Sequence, residues 1–217
     1  MASQSISYAS VVREIVERAG SLSLAHSGAT WEILWDGMFL MSSECRASER
    51  ALGALAAGRT LVGGLGMGFT LRAALDVPGV SAVDVVEIAA AVVAWNRGHL
   101  AELAGRPLED ARVRVQVADV AEVVAAAPRC YDAVLLDVDN GPSWTARPEN
   151  AGLYDEAGIA QLRGALRPGG RLAIWSAQPE PELATRLAPQ FATAESRLYP
   201  VVVGGRPCDD IILVAYR

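Results

Sequence analysis

The sequence predicts an α/β fold: one mostly parallel sheet, preceded by a small N-terminal helix and a β-hairpin. Three observations carry this expectation. From residue 60 onward, apolar strand-like runs alternate with helical patterns, as they do in βαβ units. The run Arg59-Thr60-Leu61-Val62 breaks into Gly63-Gly64-Leu65-Gly66-Met67-Gly68, as a buried strand does where it turns beneath a nucleotide-like ligand. Acids then end successive strands, Glu87, Asp119 and Asp137, so one edge of the sheet gathers carboxylates.

Taken in order, Ile6, Val11, Val12, Ile15 and Val16 recur at helical spacing between Ser5 and Ala19, which predicts an amphipathic opening helix. Thr30–Trp35 and Met38–Met41 flank Asp36-Gly37, a strong two-residue hairpin signal. A helix over Ala47–Ala57 follows, with Gly58 placed to cap it. Strands are then expected at 60–64, 82–88, 112–117, 132–137, 171–175, 194–202 and 210–216. Between them, helices are expected at 67–76, 89–104, 119–127, 154–166 and 180–188. Arg167-Pro168-Gly169-Gly170 reads as a turn into the fifth strand. The domain reading is a 1–57 extension, helix plus hairpin, and a 58–217 ligand-binding domain.

The glycine spacing selects the ligand. A dinucleotide fingerprint wants its third glycine where Phe69 stands, so Gly64-x-Gly66-x-Gly68 does not favour a pyrophosphate. The tighter form suits S-adenosylmethionine (SAM), with Glu87 placed to accept hydrogen bonds from the ribose diol. Asp119 reads equally as an acceptor from the adenine amino group and as a helix N-cap, and the two are compatible. Asp137 leaves a nearly continuous apolar strand, Tyr131–Leu136, and enters the presumed cleft as a general base or as a loop-fixing acceptor. The aperiodic stretch Val138–Leu153 has the length of a binding loop. Its Asp139 is a second candidate acid, while Trp144 and Tyr154 are either pocket walls or anchors.

Composition narrows the class. With 217 residues, 52% of them hydrophobic, the chain can bury one large core. A net charge of −6 spread along the chain leaves no basic stripe for nucleic acid. Cys45, Cys130 and Cys208 are odd in number and irregularly spaced, which suits buried thiols and neither a disulfide framework nor a metal site. No apolar run reaches membrane-spanning length and the N-terminus lacks a leader pattern, so a soluble cytoplasmic protein without a membrane partner is expected. His26 and His99 lack partners at metal or triad spacing.

The Gly63–Gly68 turn, Val86-Glu87-Ile88, Val117-Ala118-Asp119, the strand Tyr131–Asp137, Gly141-Pro142, Leu153-Tyr154 and Leu166-Arg167-Pro168-Gly169-Gly170 together resemble the spermidine synthase family. Trp35-Asp36-Gly37-Met38-Phe39 is similar to that family's Leu-Asp-Gly segment, so the likeness runs from about residue 30 to the C-terminus. The resemblance implies a Rossmann-like seven-stranded sheet of the class I SAM-dependent transferases. It also implies that Glu87 binds ribose, Asp119 the adenine amino group, and that Asp137 deprotonates the nucleophile.

This chain also departs from the family pattern. Gly66 stands where the family has an Asp that holds an ammonium group, and Leu40 or Met41 where it has Gln. Cys45-Arg46 and Glu49 replace an Asp-Glu pair and a Tyr, and the fourth-strand motif shortens to Asp137-Val138-Asp139-Asn140-Gly141-Pro142. These changes favour methyl transfer from SAM to a small-molecule acceptor, with Trp35 and Trp144 as aromatic walls near the pocket mouth. The alternatives are an aminopropyltransferase that binds its amines through Asp139, Glu44 or Glu49, an intramolecular cyclisation of SAM, and a non-catalytic SAM-binding protein. No metal is implied, and a homodimer is left open.

Overall fold

The computed structural model describes residues 13–217 apart from 45, 139, 144, 146, 147, 204 and 205. They fall into two compact units that meet in sequence after Glu44.

The first unit is an antiparallel sheet of four strands in the order β1 (Glu14–Ala19), β2 (Leu22–Ser27), β3 (Thr30–Trp35) and β4 (Met38–Ser42). The β3–β4 turn has the form its sequence predicts, with Asp36 at φ 47° and Gly37 at φ 79°. The opening helix is corrected: Ser5–Val12 lies outside the described residues, and Glu14–Ala19 is a strand paired with β2. The β-branched Val and Ile residues of this stretch suit a pleated surface as well as a helical stripe. Gly20-Ser21, with Gly20 at φ 60°, closes a two-residue turn that brings Ala19 opposite Leu22. Leu24, Ala25, Ile33 and Leu34, consecutive pairs that point to opposite faces of the strands, are all buried.

The second unit holds α1 (Ala47–Gly53), which packs on α2 (Phe69–Asp76), and the seven-stranded sheet. The first four sheet strands are β5 (Arg59–Gly63), β6 (Ala82–Glu87), β7 (Val113–Val117) and β8 (Tyr131–Leu136). Then come β9 (Leu166–Ser176), β10 (Thr193–Val203) and β11 (Arg206–Tyr216). Their spatial order is β10-β11-β9-β8-β5-β6-β7. Strands β7, β6, β5, β8 and β9 are parallel, and β11 pairs antiparallel with both β9 and β10. The chain leaves β5 toward β6 and β7, then returns to β8 on the other side. Strand order therefore reverses between β5 and β8, and a crevice opens at their carboxyl ends.

Helices α3 (Ala90–Arg97), α4 (Val120–Ala125), α5 (Glu156–Ala165) and α6 (Pro181–Leu187) complete the unit. Val120, Val124, Ile159, Leu162, Leu183 and Leu187 pack with Leu61, Val134, Leu136, Leu172, Ile174 and Leu213 into one core cluster. Buried on both faces, β5 and β8 read as unbroken apolar runs, as central parallel strands do. Truncating any of these leucines to alanine would cost about 2–5 kcal/mol.

Local readings need revision in four places. The helix before β5 ends at Gly53, and Gly58, at φ 44°, instead sits against the Asp132 carboxylate. Past Arg97 the expected long helix gives way at Gly98 to a short 3-10 turn, Ala101–Ala104. Arg167–Gly170 is a bulge inside β9: Leu166 pairs with Tyr131, and pairing resumes at Arg171 with Ala133. Cys130 is half-buried in the turn before β8 and Cys208 is exposed on the β10–β11 hairpin, so neither is the buried thiol expected; Cys45 lies outside the described residues. Among the described residues no helix is long and apolar enough to cross a membrane.

Candidate active site

The glycine turn follows β5 at the reversal point. Gly64 has φ 85°, and a Cβ there would lie 2.0 Å from the carbonyl oxygen of Asp137, so a side chain is excluded by both conformation and space. Gly66 and Gly68 also take positive φ, 49° and 82°, and Gly68 precedes the first turn of α2. Leu65 and Met67 are buried beneath the turn. From α3, the Asn96 side-chain amide donates to the carbonyls of Gly66 at 2.8 Å and Val92 at 2.9 Å, which fixes the turn to the helix. Asn96 is 2% exposed and was missed in the sequence, where it looks like one polar residue in an apolar helix.

Glu87 ends β6 beside this turn. Its carboxylate accepts the backbone N–H groups of Leu65 and Ala89, each at 2.9 Å. Burial raises its pKa, against the lowering effect of these N–H groups. Asp119 is the N-cap of α4, with Oδ1 accepting from the Ala121 N–H at 2.8 Å, which leaves Oδ2 without a hydrogen bond among the described residues.

Asp137 leaves β8 next to Gly63, whose carbonyl accepts its N–H at 2.7 Å. The Thr70 hydroxyl, in the first turn of α2, donates to its Oδ2 at 2.7 Å. Burial lifts the Asp137 pKa to about 6, the charges of Asp210 and Glu87 add to the rise, and the Thr70 hydrogen bond opposes it. Glu49, on α1, is 9% exposed and is pushed up to about 7, chiefly by burial and next by the charge of Asp137. Asp210 stands near the start of β11, which runs antiparallel and so begins at the carboxyl edge. It accepts from the Ser48 hydroxyl at 2.5 Å, and burial raises its pKa as well. The arginine ion pairs located among the described residues involve other acids, and Arg46, before Glu49 in sequence, stands over the Phe69 ring at 4.7 Å. Among the described residues, no group of three His, Cys, Asp or Glu side chains lies close enough together to hold a metal.

Asp210 and Ser48 carried no signal in the sequence, since a separation of 162 residues joins them only in the fold. The loop after Asp137 is anchored near both ends. Asn140 accepts from the Ala177 N–H at 3.0 Å, and Gly141 (φ 127°) packs where a Cβ would meet the Ser176 hydroxyl at 2.2 Å. Ser143 donates through its hydroxyl and its N–H to the buried Glu180. At the far end Tyr154 is 3% exposed within the core cluster, the position of an anchor and not of an open pocket wall. Asp139 and Trp144 lie outside the described residues. Trp35 and Glu44 belong to the first unit, where Glu44 accepts from the Thr30 hydroxyl at 3.1 Å.

The model of the family described as the spermine/spermidine synthase domain matches residues 59–198. The chain belongs to this family. Within it, a polyamine aminopropyltransferase of Prochlorococcus marinus (strain MIT 9313) is 34% identical over 123 residues, 56% of this chain and 41% of that protein. A putrescine N-methyltransferase 2 of Nicotiana attenuata is 34% identical over 113 residues, 52% of this chain and 29% of that protein. The match to each thus spans less than half of the relative's length. A crystal structure of spermidine synthase in complex with the transition-state analogue AdoDATO superposes with a TM-score of 0.74 at 17% identity, covering 93% of this chain and 72% of that one. That likeness shows a shared fold.

Proposed function

We propose that this member of the spermidine synthase family transfers an aminopropyl group from a decarboxylated SAM-type sulfonium to an amine. The reading is carried by Asp137, Glu49 and Asp210, carboxyls near the strand-order reversal whose pKa values burial raises, with the charges of Asp137 and Asp210 adding to the rise at Glu49 and that of Asp210 to the rise at Asp137. An ammonium group supplies the missing charge. The names of the relatives support the same acceptor class, since both the aminopropyltransferases and the putrescine N-methyltransferases are named for amines.

In this reading the glycine turn and Glu87 hold the adenosine end of the donor, and Asp119 Oδ2 takes the adenine amino group. The amine nitrogen attacks the propyl carbon bonded to sulfur, a C–N bond forms, and the C–S electron pair stays on sulfur as a neutral thioether. The nitrogen's surplus proton passes to Asp137. With a pKa near 6, Asp137 is mostly ionised at neutral pH yet more basic than an ordinary carboxylate, as a general base should be. Thr70 fixes its orientation, and holding donor and acceptor in contact supplies much of the acceleration in such a displacement. Asp139 is proposed as a further acid of this edge and Trp144 as a wall over the acceptor; Trp35 and Glu44 have no part in this reading.

A second reading, methyl transfer from intact SAM, is favoured by one observation. At Gly66 the turn offers no carboxylate to a free ammonium on the donor. The by-product decides between the two. Methylthioadenosine formed from decarboxylated SAM only in the presence of putrescine supports aminopropyl transfer. S-adenosylhomocysteine formed from SAM, with decarboxylated SAM inert, would replace that assignment with methyl transfer.

A further inference from the structure

We infer that Ser48 ties Glu49 and Asp210 into a pair that shares one proton in the unliganded protein, and that a diamine displaces this proton when its second ammonium binds Glu49. The choice of an amine as ligand rests on the function proposed above; the shared proton does not.

The argument begins from a single hydroxyl. Ser48 is 0% exposed, and its Oγ lies 2.5 Å from Asp210 Oδ2 and 3.2 Å from Glu49 Oε2. A serine hydroxyl has one hydrogen to donate and lone pairs to accept with. It donates along the short contact to Asp210. Were Glu49 ionised too, its oxygen would face the Ser48 lone pairs with no hydrogen between them, an uncompensated contact at a buried position. A proton on Glu49, donated to Ser48 Oγ, completes the chain Glu49, Ser48, Asp210.

The surroundings place the proton at the Glu49 end. The Trp175 indole N–H is buried without a hydrogen-bond partner and faces Asp210 closely enough to favour its ionised form, though short of hydrogen-bond geometry. With the Ser48 hydrogen turned to Asp210, the Glu49 carboxyl keeps only its own backbone N–H as a donor among the described residues, and it faces Asp137 from the end of β8 as well as Asp210 from β11. Asp209 acts on Asp210, and Thr70 and Glu87 act on Asp137. The groups identified as acting on the pair and on Asp137 are therefore acids or neutral donors, and burial reinforces their effect on Glu49.

A diamine brings two positive centres. Asp137 handles the proton of the attacking nitrogen, so the second ammonium needs another carboxylate, and Glu49 becomes one by releasing its proton to solvent. The acceptor's second nitrogen remains charged throughout. Glu49 is thus a specificity-determining residue that favours diamines over monoamines of equal length, and Ser48 is a positioning residue.

Two measurements on the full chain test this. In the ligand-free protein at about pH 6, difference infrared spectroscopy should show the carbonyl stretch of a protonated carboxyl that disappears in Glu49→Gln and shifts in Ser48→Ala. Absence of that band in the wild type would overturn the shared proton. Calorimetry of putrescine binding in buffers of different ionisation enthalpy should show between about half and one proton released per diamine near pH 6.5, falling toward zero near pH 8.5 and lost in Glu49→Gln. Binding without proton release near pH 6.5 would overturn the coupling. If the band is present and no amine binds, the amine-acceptor reading and the coupling both fail, while the proton pair stands.

Discussion

At the amino edge of the seven-stranded sheet, Asp84 meets Arg59 at 2.6 Å, Asp132 meets Arg167 at 2.8 Å and Asp110 meets Arg112 at 2.8 Å. At the carboxyl edge, Glu49, Glu87, Asp137 and Asp210 meet hydroxyls and backbone N–H groups. The titration behaviour follows. The Arg112 hydrogen bond holds Asp110 down at about 2, whereas burial and neighbouring acids push Asp137 to about 6 and Glu49 to about 7. One edge is electrostatically complete, and the other is left for a ligand to complete. Clusters of raised carboxyls in a crevice are where acid–base chemistry and cation binding are found.

The difference can be broken most sharply at Asp137. Asp137→Asn keeps the shape and the Thr70 contact but removes the base, so turnover should fall by roughly 10²–10⁴-fold with donor affinity nearly unchanged. Steady-state rates and donor titration separate the two effects. Loss of folding and activity together would instead assign Asp137 a structural role.

Next in size is Gly64→Ala. Its Cβ would press on the Asp137 carbonyl from a left-handed backbone, so the turn must shift and stability should drop by on the order of 2–4 kcal/mol, measured by denaturant unfolding. Donor binding should weaken with it.

Glu87→Ala removes the acceptor of the Leu65 and Ala89 N–H groups together with the proposed ribose contacts, and donor binding should weaken by about 1.5–3 kcal/mol in calorimetry. Preferential binding of NAD would contradict the adenosine assignment.

The smallest effect is expected at the complete edge. Arg59→Ala strands the buried Asp84, at a cost of roughly 1–3 kcal/mol of stability, discounted because the Arg59 side chain is 39% exposed. Turnover per folded molecule should be unchanged, since Arg59 sits at the opposite end of β5 from the glycine turn.

These two edges were unequally legible in the sequence. Period and turn chemistry located the parallel strands to within a residue or two, apart from β9, because β5, β6 and β8 are buried on both faces and bounded by glycine, proline or acid. Glu87 and Asp137 were visible because each follows an apolar strand directly. Of the rest of the acidic edge, Glu49 was offered only as an alternative amine ligand and Asp210 not at all. Asp210 lies on a strand that enters the edge from the opposite direction, and Glu49 on a helix whose packing is long-range, so nothing local announces their meeting with Asp137. Methyl transfer was favoured for want of acceptor carboxylates, and Glu49 with Asp210 now supplies them, which moves the balance toward the amine reading. The first sheet was missed at β1 and β2, where Ile15 and Val16 fit a helical stripe and Gly20-Ser21 was passed over as a turn.

The central claim, that the carboxyl edge holds negative charge in wait for a cation, is tested most directly by melting temperature as a function of pH. Glu49 and Asp137 have folded-state pKa values above their unfolded ones, so the folded chain binds more protons and stability must fall as pH rises through about 4 to 7. Asp110 acts in the opposite sense, losing its contribution as pH drops from about 4 toward 2. The ligand-free protein should therefore be most stable on the acid side of neutrality, Glu49→Gln should flatten the decline toward pH 8, and putrescine should raise the melting temperature most at pH 8. A wild-type melting temperature that rises between about pH 5 and 8, or that putrescine leaves unmoved at pH 8, would contradict the claim.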